Sequence, residues 1–358
     1  MTEAVAYTSK RILLTIILAV ITSVIGALLT GWVLELVKSL PTLDHKRMMS
    51  GLNTYEMEAN GNIISPQHMS DITLANIGGL RLIKDDIEAS ILIPLKYPHL
   101  FFTTKSLMPS RGILLHGPPG TGKTMLARAI AVEASVPFMS LSLSALECKY
   151  FGESPKLIRG AFSLARKIQP CIVFFDEIDG LLRQRVDSDQ SPVYGLKTEL
   201  LAQIDGMETR ETDSVFIIGT TNNINSLDHA IRRRLSKVYK VDIPTPTERY
   251  DILHLKTLGD NSVDDALVRW VASNTEGFSG SDLNELWKQT CTHRLREQCD
   301  DTSFREQLKT AHGVEDLPIL QTVMKHHILK AFESMGKRFY EVAEDDINIS
   351  EEEPPSPL

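Results

Sequence analysis

The residues best suited to do chemistry lie in the run GPPGTGKT, from Gly117 to Thr124. The run fits the pattern G-x-x-x-x-G-K-[ST], and it follows the apolar run RGILLHG, which is typical of a buried strand. Glycines at this spacing let backbone N–H groups turn inward around phosphates, and the start of a following helix adds positive potential. We therefore predict that this segment binds the phosphates of a nucleotide.

Two residues of the run have more specific expected roles. Lys123 is predicted to reach the β- and γ-phosphates, and the Thr124 hydroxyl is predicted to hold Mg²⁺. The alternative is a chance glycine-rich turn, which the full match between a strand and a helix disfavours. The predicted nucleotide-binding residues here are Gly117, Pro118, Pro119, Gly120, Thr121, Gly122, Lys123 and Thr124.

A second candidate site element is the run CIVFFDEID, residues 171–179. Its apolar residues predict a buried strand, and Asp176 and Glu177 follow at the carboxyl end, where open α/β sheets bind ligands. We expect Asp176 to support Mg²⁺ and Glu177 to polarise the attacking water as general base. A carboxylate pair that caps the next helix is the alternative.

Polar residues beyond two further runs complete the candidate site. Asn222 ends FIIGTTNN and could sense the γ-phosphate or orient the water, although an asparagine after a strand is commonly a turn residue. Residues 232–234 are three arginines, which form either a solvated face or an arginine finger for a neighbouring subunit's nucleotide. A finger acting in trans needs a head-to-tail interface, and such an interface makes a ring when its rotation closes.

The elements that must position these residues alternate along the chain. Strand-like runs cover residues 111–117, 136–143, 171–179 and 214–222, and helical patterns lie between them. Strands that alternate with helices predict a parallel sheet with helices on both faces. We therefore predict a large α/β domain over residues 71–245. Beyond it the strand patterns stop, and we predict a small helical domain over residues 246–343 and an acidic, proline-rich tail over 344–358.

Composition excludes some classes of function. The net charge of −8 gives no support for a nucleic-acid surface, which usually shows a basic excess. The four cysteines form no CxxC pair and no zinc-ligand spacing, which is typical of reduced thiols in the cytosol.

The N-terminal part carries a long apolar run. After a short segment of residues 1–11, residues 12–34 contain no charge and are long enough to cross a bilayer as a helix. A cleaved signal peptide would have a shorter apolar region, and a buried core helix seldom runs this long without a charge. We predict a transmembrane helix, followed by a linker over residues 35–70. The flanking cations slightly favour a cytosolic C-terminal side.

Together these motifs resemble the AAA family of P-loop ATPases. The resemblance covers residues from about 71 to about 343, and its family motifs are IGGL, GPPGTGKT, KYFGES, IVFFDEID, GTTNN, the arginine run and GFSGSD. It implies a homo-hexamer with ATP and Mg²⁺ bound between subunits. Ile77 and Gly78, together with the segment from Gly277 to Ser281, would border the adenine, and Asn222 matches the family's first sensor.

The resemblance also assigns the arginines and a pore loop. Arg233 and Arg234 match the arginine fingers, although Leu235–Ser236–Lys237 departs from the glycine and arginine that usually follow. KYFGES corresponds to the first pore loop, which places Lys149, Tyr150 and Phe151 at the axis of a ring. Tyr150 is then expected to grip a passing chain, Phe151 to pack between loops, and Lys149 to attract acidic segments.

One predicted membrane helix before a single ATPase domain narrows the resemblance to the dislocases of the mitochondrial outer membrane. That group extracts mislocalised tail-anchored proteins and stalled precursors, and a peroxisomal location is also possible. Its usual pore pair is Trp-Tyr, whereas this chain has Tyr150 and Phe151. Microtubule-severing and endosomal-sorting ATPases are the alternative, but they usually carry an N-terminal recognition domain for which residues 35–70 look too short. A membrane AAA protease would need HExxH, which this sequence lacks. A scaffold that binds ATP without hydrolysis is disfavoured by the intact site residues.

Overall fold

The computed structural model describes residues 51–97, 110–142, 153–180, 192–208, 214–235, 237–310 and 320–336. The chain divides into two compact units, Met1–Met57 and Glu58–Leu358. In the described part, none of the helices combines the length and apolar character that crossing a bilayer requires. The predicted membrane helix over 12–34, the predicted pore residues Lys149, Tyr150 and Phe151, and the predicted tail lie outside the described residues.

The secondary structure alternates as predicted. The strands are β1 (Ile63–Ile64), β2 (Gly112–His116), β3 (Phe138–Ser142), β4 (Cys171–Asp176), β5 (Val215–Thr221) and β6 (Lys237–Lys240). The helices of the α/β part are α1 (Thr54–Asn60), α2 (Arg81–Ile87), α3 (Ile93–Lys96), α4 (Lys123–Ala134), α5 (Ser154–Lys167), α6 (Pro192–Glu208) and α7 (His229–Arg234). A π-helical turn, Glu88–Leu92, joins α2 to α3, and short 3-10 turns cover Pro66–Met69, Ile178–Gly180 and Ile224–Ser226.

The helical part that follows has five helices among the described residues. They are α8 (Pro246–Thr257), α9 (Asp265–Ser273), α10 (Gly280–Cys299), α11 (Thr302–Thr310) and α12 (Lys325–Ser334). Capping boxes fix the starts of α8 and α10, because Thr245 pairs with Glu248 and Ser279 pairs with Asp282. The predicted change from an α/β part to a helical part is confirmed.

The six strands form one sheet in the order β1-β3-β4-β5-β2-β6. All pairs are parallel except β1 with β3, so the prediction of a purely parallel sheet was wrong at one edge. β1 has two residues and lies within residues 35–70, the segment predicted to be a linker. A pair of isoleucines is too short to show a strand period, which is why the sequence gave no sign of this pairing.

Apolar packing holds each part together. Every residue of β5 is buried, as are the first five of β4, which is expected for strands covered on both faces. Helix α4 packs on the sheet through Leu126 and Ile130, and the Phe138 and Phe174 rings stack with centroids 5.1 Å apart. In the helical part, Phe278 and Phe332 meet edge to face at 5.5 Å within a separate apolar core. The packed sheet therefore holds the carboxyl ends of β2, β4 and β5 in place, and the predicted site residues lie at these ends.

Candidate active site

The loop between β2 and α4 has the conformation that a phosphate-binding loop requires. Gly117, Gly120 and Gly122 all have positive φ angles. A Cβ atom on Gly117 would lie 1.9 Å from the carbonyl oxygen of Val241, so only glycine fits there. The loop ends at Gly122, and α4 begins at Lys123 with its N-terminus at the site.

Lys123 is held inside this loop. Its side-chain Nζ donates hydrogen bonds to the carbonyl oxygens of Gly117 at 2.9 Å and Pro118 at 2.7 Å. The residue is only 8% exposed, and burial lowers the pKa of its ammonium group, while Asp176 opposes that shift. A phosphate bound in the loop would offer this ammonium anionic oxygens, which are stronger acceptors than carbonyls.

Thr124 and Asp176 lie together, as a magnesium site requires. The Thr124 hydroxyl is 3.2 Å from Oδ2 of Asp176 and 3.4 Å from Oδ1. A hydroxyl and a carboxylate are the oxygen ligands that Mg²⁺ takes, usually together with phosphate oxygens and water. The residues present therefore fit this ion.

Glu177 follows β4 in an unusual backbone conformation. Its φ angle is +50°, in the left-handed region that residues with a Cβ seldom adopt. Its side chain is exposed and lines the cleft, and its backbone N–H donates to the Thr220 hydroxyl at 3.1 Å. The sequence patterns did not identify Thr220, which is an ordinary residue of the run GTTNN. Asn222 of the same run was a predicted site residue, and it also lines the cleft.

These residues surround a cleft of about 530 Å³ between the sheet and the helical part. The predicted site residues that line it are Ile77, Gly78, Pro119, Gly120, Thr121, Gly122, Lys123, Thr124, Asp176, Glu177, Asn222 and Ser281. Gly117, Pro118 and Gly277 are not part of the lining, nor are Arg233 and Arg234. At the start of α10 it is Gly280 and Ser281 that reach the cleft, beyond Gly277.

One wall of the cleft is made where residues 77–80 meet helix α8. A Cβ on Gly78 would lie 2.5 Å from the backbone N and Cα of Ile252, so the two segments approach as closely as glycine allows. The Leu80 N–H donates to the Glu248 carboxylate at 3.0 Å. Across the cleft, the Ser281 N–H donates to the carbonyl oxygen of Gly120 at 3.0 Å. The helical part is thus bonded directly to both the phosphate loop and the IGGL segment.

The two candidate fingers differ in their surroundings. Arg234 makes a two-pronged ion pair with Asp205 of α6, and its Nη2 lies 2.6 Å from Oδ2 of that carboxylate. Arg233 is exposed and makes no ion pair within the described residues. Neither arginine lines the cleft of its own chain.

Among the described residues, one other group consists of side chains that commonly bind metal ions and lie close together. Glu297, His326 and His327 place their ligand atoms within 4.8 Å of one another. The Met324 N–H, however, donates to Nδ1 of His327 at 3.0 Å, so the neutral ring carries its proton on Nε2, the nitrogen that faces Glu297. A protonated nitrogen cannot bind a metal, and the group is better described as a Glu297 carboxylate that accepts hydrogen bonds from His326 and Lys330, with His327 beside it.

Comparison with known proteins identifies the family. The model of the family described as "ATPase family associated with various cellular activities (AAA)" matches residues 113–243. The outer mitochondrial transmembrane helix translocase of Homo sapiens is 36% identical over 286 residues, which cover 80% of this chain and 77% of that protein. The chain belongs to the AAA family. Its family resemblance and its expected ATPase activity are therefore confirmed.

Other AAA proteins match over different lengths. The translocase of the same name from Danio rerio is 38% identical over 69% of this chain and 64% of that protein. A spastin homolog from Caenorhabditis elegans is 39% identical over 63% of this chain but only 44% of its own length. The solved structure of the FIGL-1 AAA domain in complex with ADP has a TM-score of 0.60 and 31% identity, and the match covers 77% of this chain and 88% of that one. Nucleotide binding by this AAA chain agrees with that complex.

Proposed function

We propose that this AAA chain is the motor of a membrane-anchored homo-hexamer that uses ATP hydrolysis to extract tail-anchored proteins and stalled precursors through its central pore. The observation that carries the proposal is the similarity to the translocases, which extends over 80% of this chain in the human case. The mitochondrial outer membrane is the proposed location, with the ATPase in the cytosol and the peroxisomal membrane as a second possible site. No nucleic-acid partner is proposed, because the net charge is −8.

Each residue of the site is proposed to have a separate role in ATP hydrolysis. Residues Gly117–Thr124 hold the phosphates, with Lys123 on the β- and γ-phosphates. Thr124 and Asp176 would hold Mg²⁺, which neutralises charge that develops on the phosphate oxygens. Glu177 accepts a proton from the attacking water, and Asn222 orients that water or senses the γ-phosphate. Ile77, Gly78 and Ser281 enclose the base. Gly277 belongs to the same segment as Ser281 but does not line the cleft.

Arginine from the neighbouring subunit completes the site. Arg233 and Arg234 do not line the cleft of their own chain, which favours a contribution at an interface with a neighbouring subunit. Of the two, Arg233 is exposed, whereas Arg234 is bound to Asp205. We therefore assign the transition-state contact to Arg233 and a supporting role to Arg234. A head-to-tail contact makes a ring when its rotation closes, and we propose that this one does and that the ring encloses the channel.

Grip on the substrate is assigned to Lys149, Tyr150 and Phe151. These residues come shortly before α5, which begins at Ser154 and packs on the sheet through buried residues such as Phe162. A loop mounted on this helix would follow movements of the nucleotide-bearing sheet. Aromatic rings contact any passing side chain, so the grip would not depend on substrate sequence. The membrane helix proposed for residues 12–34 would keep the motor beside its substrates.

A second candidate function is severing of microtubules or disassembly of endosomal-sorting polymers. The similarity to a spastin homolog favours it, and the shared fold with the FIGL-1 AAA domain is compatible with it. The aligned region is only 44% of the spastin homolog's length, and the FIGL-1 structure is that of an AAA domain alone. The translocase similarity, which takes in 77% of the human protein, therefore has the greater weight.

Reconstitution separates these two functions. The full chain is placed in liposomes together with a fluorescent tail-anchored protein, and transfer of that protein to the aqueous phase is followed with ATP. We expect release with the natural chain and with Tyr150→Trp, and loss of release with Tyr150→Ala while ATP hydrolysis continues. Microtubules incubated with the same preparations should stay intact. Severed microtubules without release from liposomes would support the second function, and release by Tyr150→Ala would contradict the pore assignment.

A further inference from the structure

A threonine hydroxyl joins the two carboxylate residues of the site. Thr220 lies in β5, beside the end of β4, and is 1% exposed. Its Oγ1 donates to Oδ1 of Asp176 at 2.5 Å and accepts the backbone N–H of Glu177 at 3.1 Å. A hydroxyl has one proton and two lone pairs, so it can make both bonds at the same time.

The position of this hydroxyl follows from where the strand pairing ends. The β4–β5 register stops at the pair Phe175 and Gly219. Beyond it, Glu177 turns into the left-handed region with φ +50°, and its N–H bonds a side-chain hydroxyl of the neighbouring strand. The Thr220 side chain then supplies the acceptor that a strand carbonyl would otherwise supply. A residue with a Cβ keeps this conformation only where its surroundings favour it.

The bond to Asp176 orients that carboxylate. With Oδ1 held by Thr220 at 2.5 Å, the second oxygen, Oδ2, lies nearer to the Thr124 hydroxyl, at 3.2 Å. Charged acceptors form short, strong hydrogen bonds, so this contact restricts rotation of the carboxylate. One buried hydroxyl thus sets both the proposed magnesium ligand and the backbone that aims the proposed general base.

We propose that Thr220 is a positioning residue for ATP hydrolysis, which acts by fixing the orientations of Asp176 and Glu177. The proposal rests on the roles assigned above to those two residues. Thr220 does not itself need to touch the nucleotide. Without its hydroxyl, the Glu177 N–H lacks its acceptor and Oδ1 of Asp176 loses its shorter hydrogen bond, so both groups become freer to reorient.

Steady-state ATP hydrolysis by the full chain tests this. Thr220→Ala should lower kcat by about tenfold or more, part of the factor of about 10²–10⁴ that a positioned general base supplies. KM for ATP should change by less than about threefold, because the phosphate loop is intact, and half-saturation by Mg²⁺ should need a higher concentration. Thr220→Ser, which keeps the hydroxyl, should retain most of the activity. Thr220→Val keeps the side-chain volume and should behave as the alanine variant does.

A matched control separates positioning from packing. Thr290 is fully buried in α10, where its hydroxyl donates to the carbonyl oxygen of Leu286, and it does not line the cleft. Thr290→Ala should lower thermal stability and leave kcat near that of the natural chain. In a Glu177→Gln background, Thr220→Ala should add little further loss, because both changes act on one group.

Several results would overturn the proposal. One is a kcat for Thr220→Ala and Thr220→Val close to that of the natural chain, and another is an equal loss in Thr220→Ser. If both variants fail to fold while Thr220→Ser folds, the residue serves stability and not positioning. If Glu177→Gln hydrolyses ATP normally, the general-base role of the proposed function fails first, and that result is distinguishable from a failure of Thr220 alone.

Discussion

The difference between Arg233 and Arg234 predicts a separation of activity from stability. Arg233 is exposed with no ion pair in the described residues, so Arg233→Ala should change the free energy of unfolding by less than about 0.5 kcal/mol. Its hydrolysis rate should fall at least about 100-fold, since arginines that act in trans supply about 10³–10⁵ in related phosphoryl transfers. That loss corresponds to about 2.7 kcal/mol of transition-state stabilisation.

Compared with Arg233→Ala, Arg234→Ala should lose more stability and less ATP hydrolysis. It removes a two-pronged ion pair with Asp205, whose side chain is 48% exposed, so solvent screening limits the loss of stability to about 0–1 kcal/mol. Hydrolysis should fall less than in Arg233→Ala, because the Arg233 guanidinium remains available. Arg232→Ala, in the same run, is the matched control and should affect neither quantity strongly.

Mixing two inactive variants tests whether the arginine acts between subunits. Arg233→Ala keeps its own Glu177 but lacks the finger, and Glu177→Gln keeps the finger but lacks the base. In a random equal mixture, half of the sites have Glu177, and half of those face an intact finger, so about one quarter of all sites are complete. ATP hydrolysis should therefore recover to about a quarter of the natural rate. A mixture as inactive as its components would refute action in trans, and full activity of Arg233→Ala would refute the assignment itself.

Three further predictions concern binding and stability. Gly78→Ala should weaken ATP binding, measured by titration calorimetry, because its Cβ would meet the Ile252 backbone at 2.5 Å; Gly206→Ala, with open space around it, is the control and should bind normally. Arg294→Ala should lower the free energy of unfolding, measured in urea, by about 2–3 kcal/mol, because it removes the buried guanidinium whose Nη1 lies 2.7 Å from Oδ2 of Asp260. An unchanged unfolding midpoint would contradict this. The pKa of His327 is lowered, mainly by burial of its ring and to a smaller extent by the nearby groups His326, Lys330 and Arg294. The Glu297 carboxylate acts in the opposite direction and raises that pKa. The neutral ring therefore stabilises the fold above pH 6.5, the ordinary pKa, and this contribution is lost as the pH falls through the lowered pKa. His327→Asn should flatten the fall in Tm between neutral and acidic pH, and an equally steep fall would contradict the prediction.

The sequence predicted most of what lies close together along the chain. The four strand runs, the phosphate loop and the pair Asp176–Glu177 each depend on a local pattern, and the structure places them where expected. The phosphate-loop motif predicts its own backbone conformation, because its glycines occupy positions with positive φ angles.

What the sequence did not predict depends on contacts between distant residues. The hydroxyl of Thr220 reaches Glu177, and Asp205 pairs with Arg234, although neither pair shows a shared pattern in the sequence. The antiparallel β1 is too short to show a period, and its partner β3 lies more than 70 residues away. At the start of α10, the resemblance named Gly277 and Ser281 alike, and only the packing against Gly120 shows that Ser281 lines the cleft and Gly277 does not.

In the proposed motor, ATP binds between the subunits of a homo-hexamer, so that hydrolysis can move the pore loops. The most direct test is the mass of the full-length Glu177→Gln chain in lipid nanodiscs or detergent, measured with Mg²⁺ and with or without ATP. We expect a particle with about six times the subunit mass when ATP is bound and hydrolysis is blocked. A chain that binds ATP and remains monomeric under these conditions would contradict it.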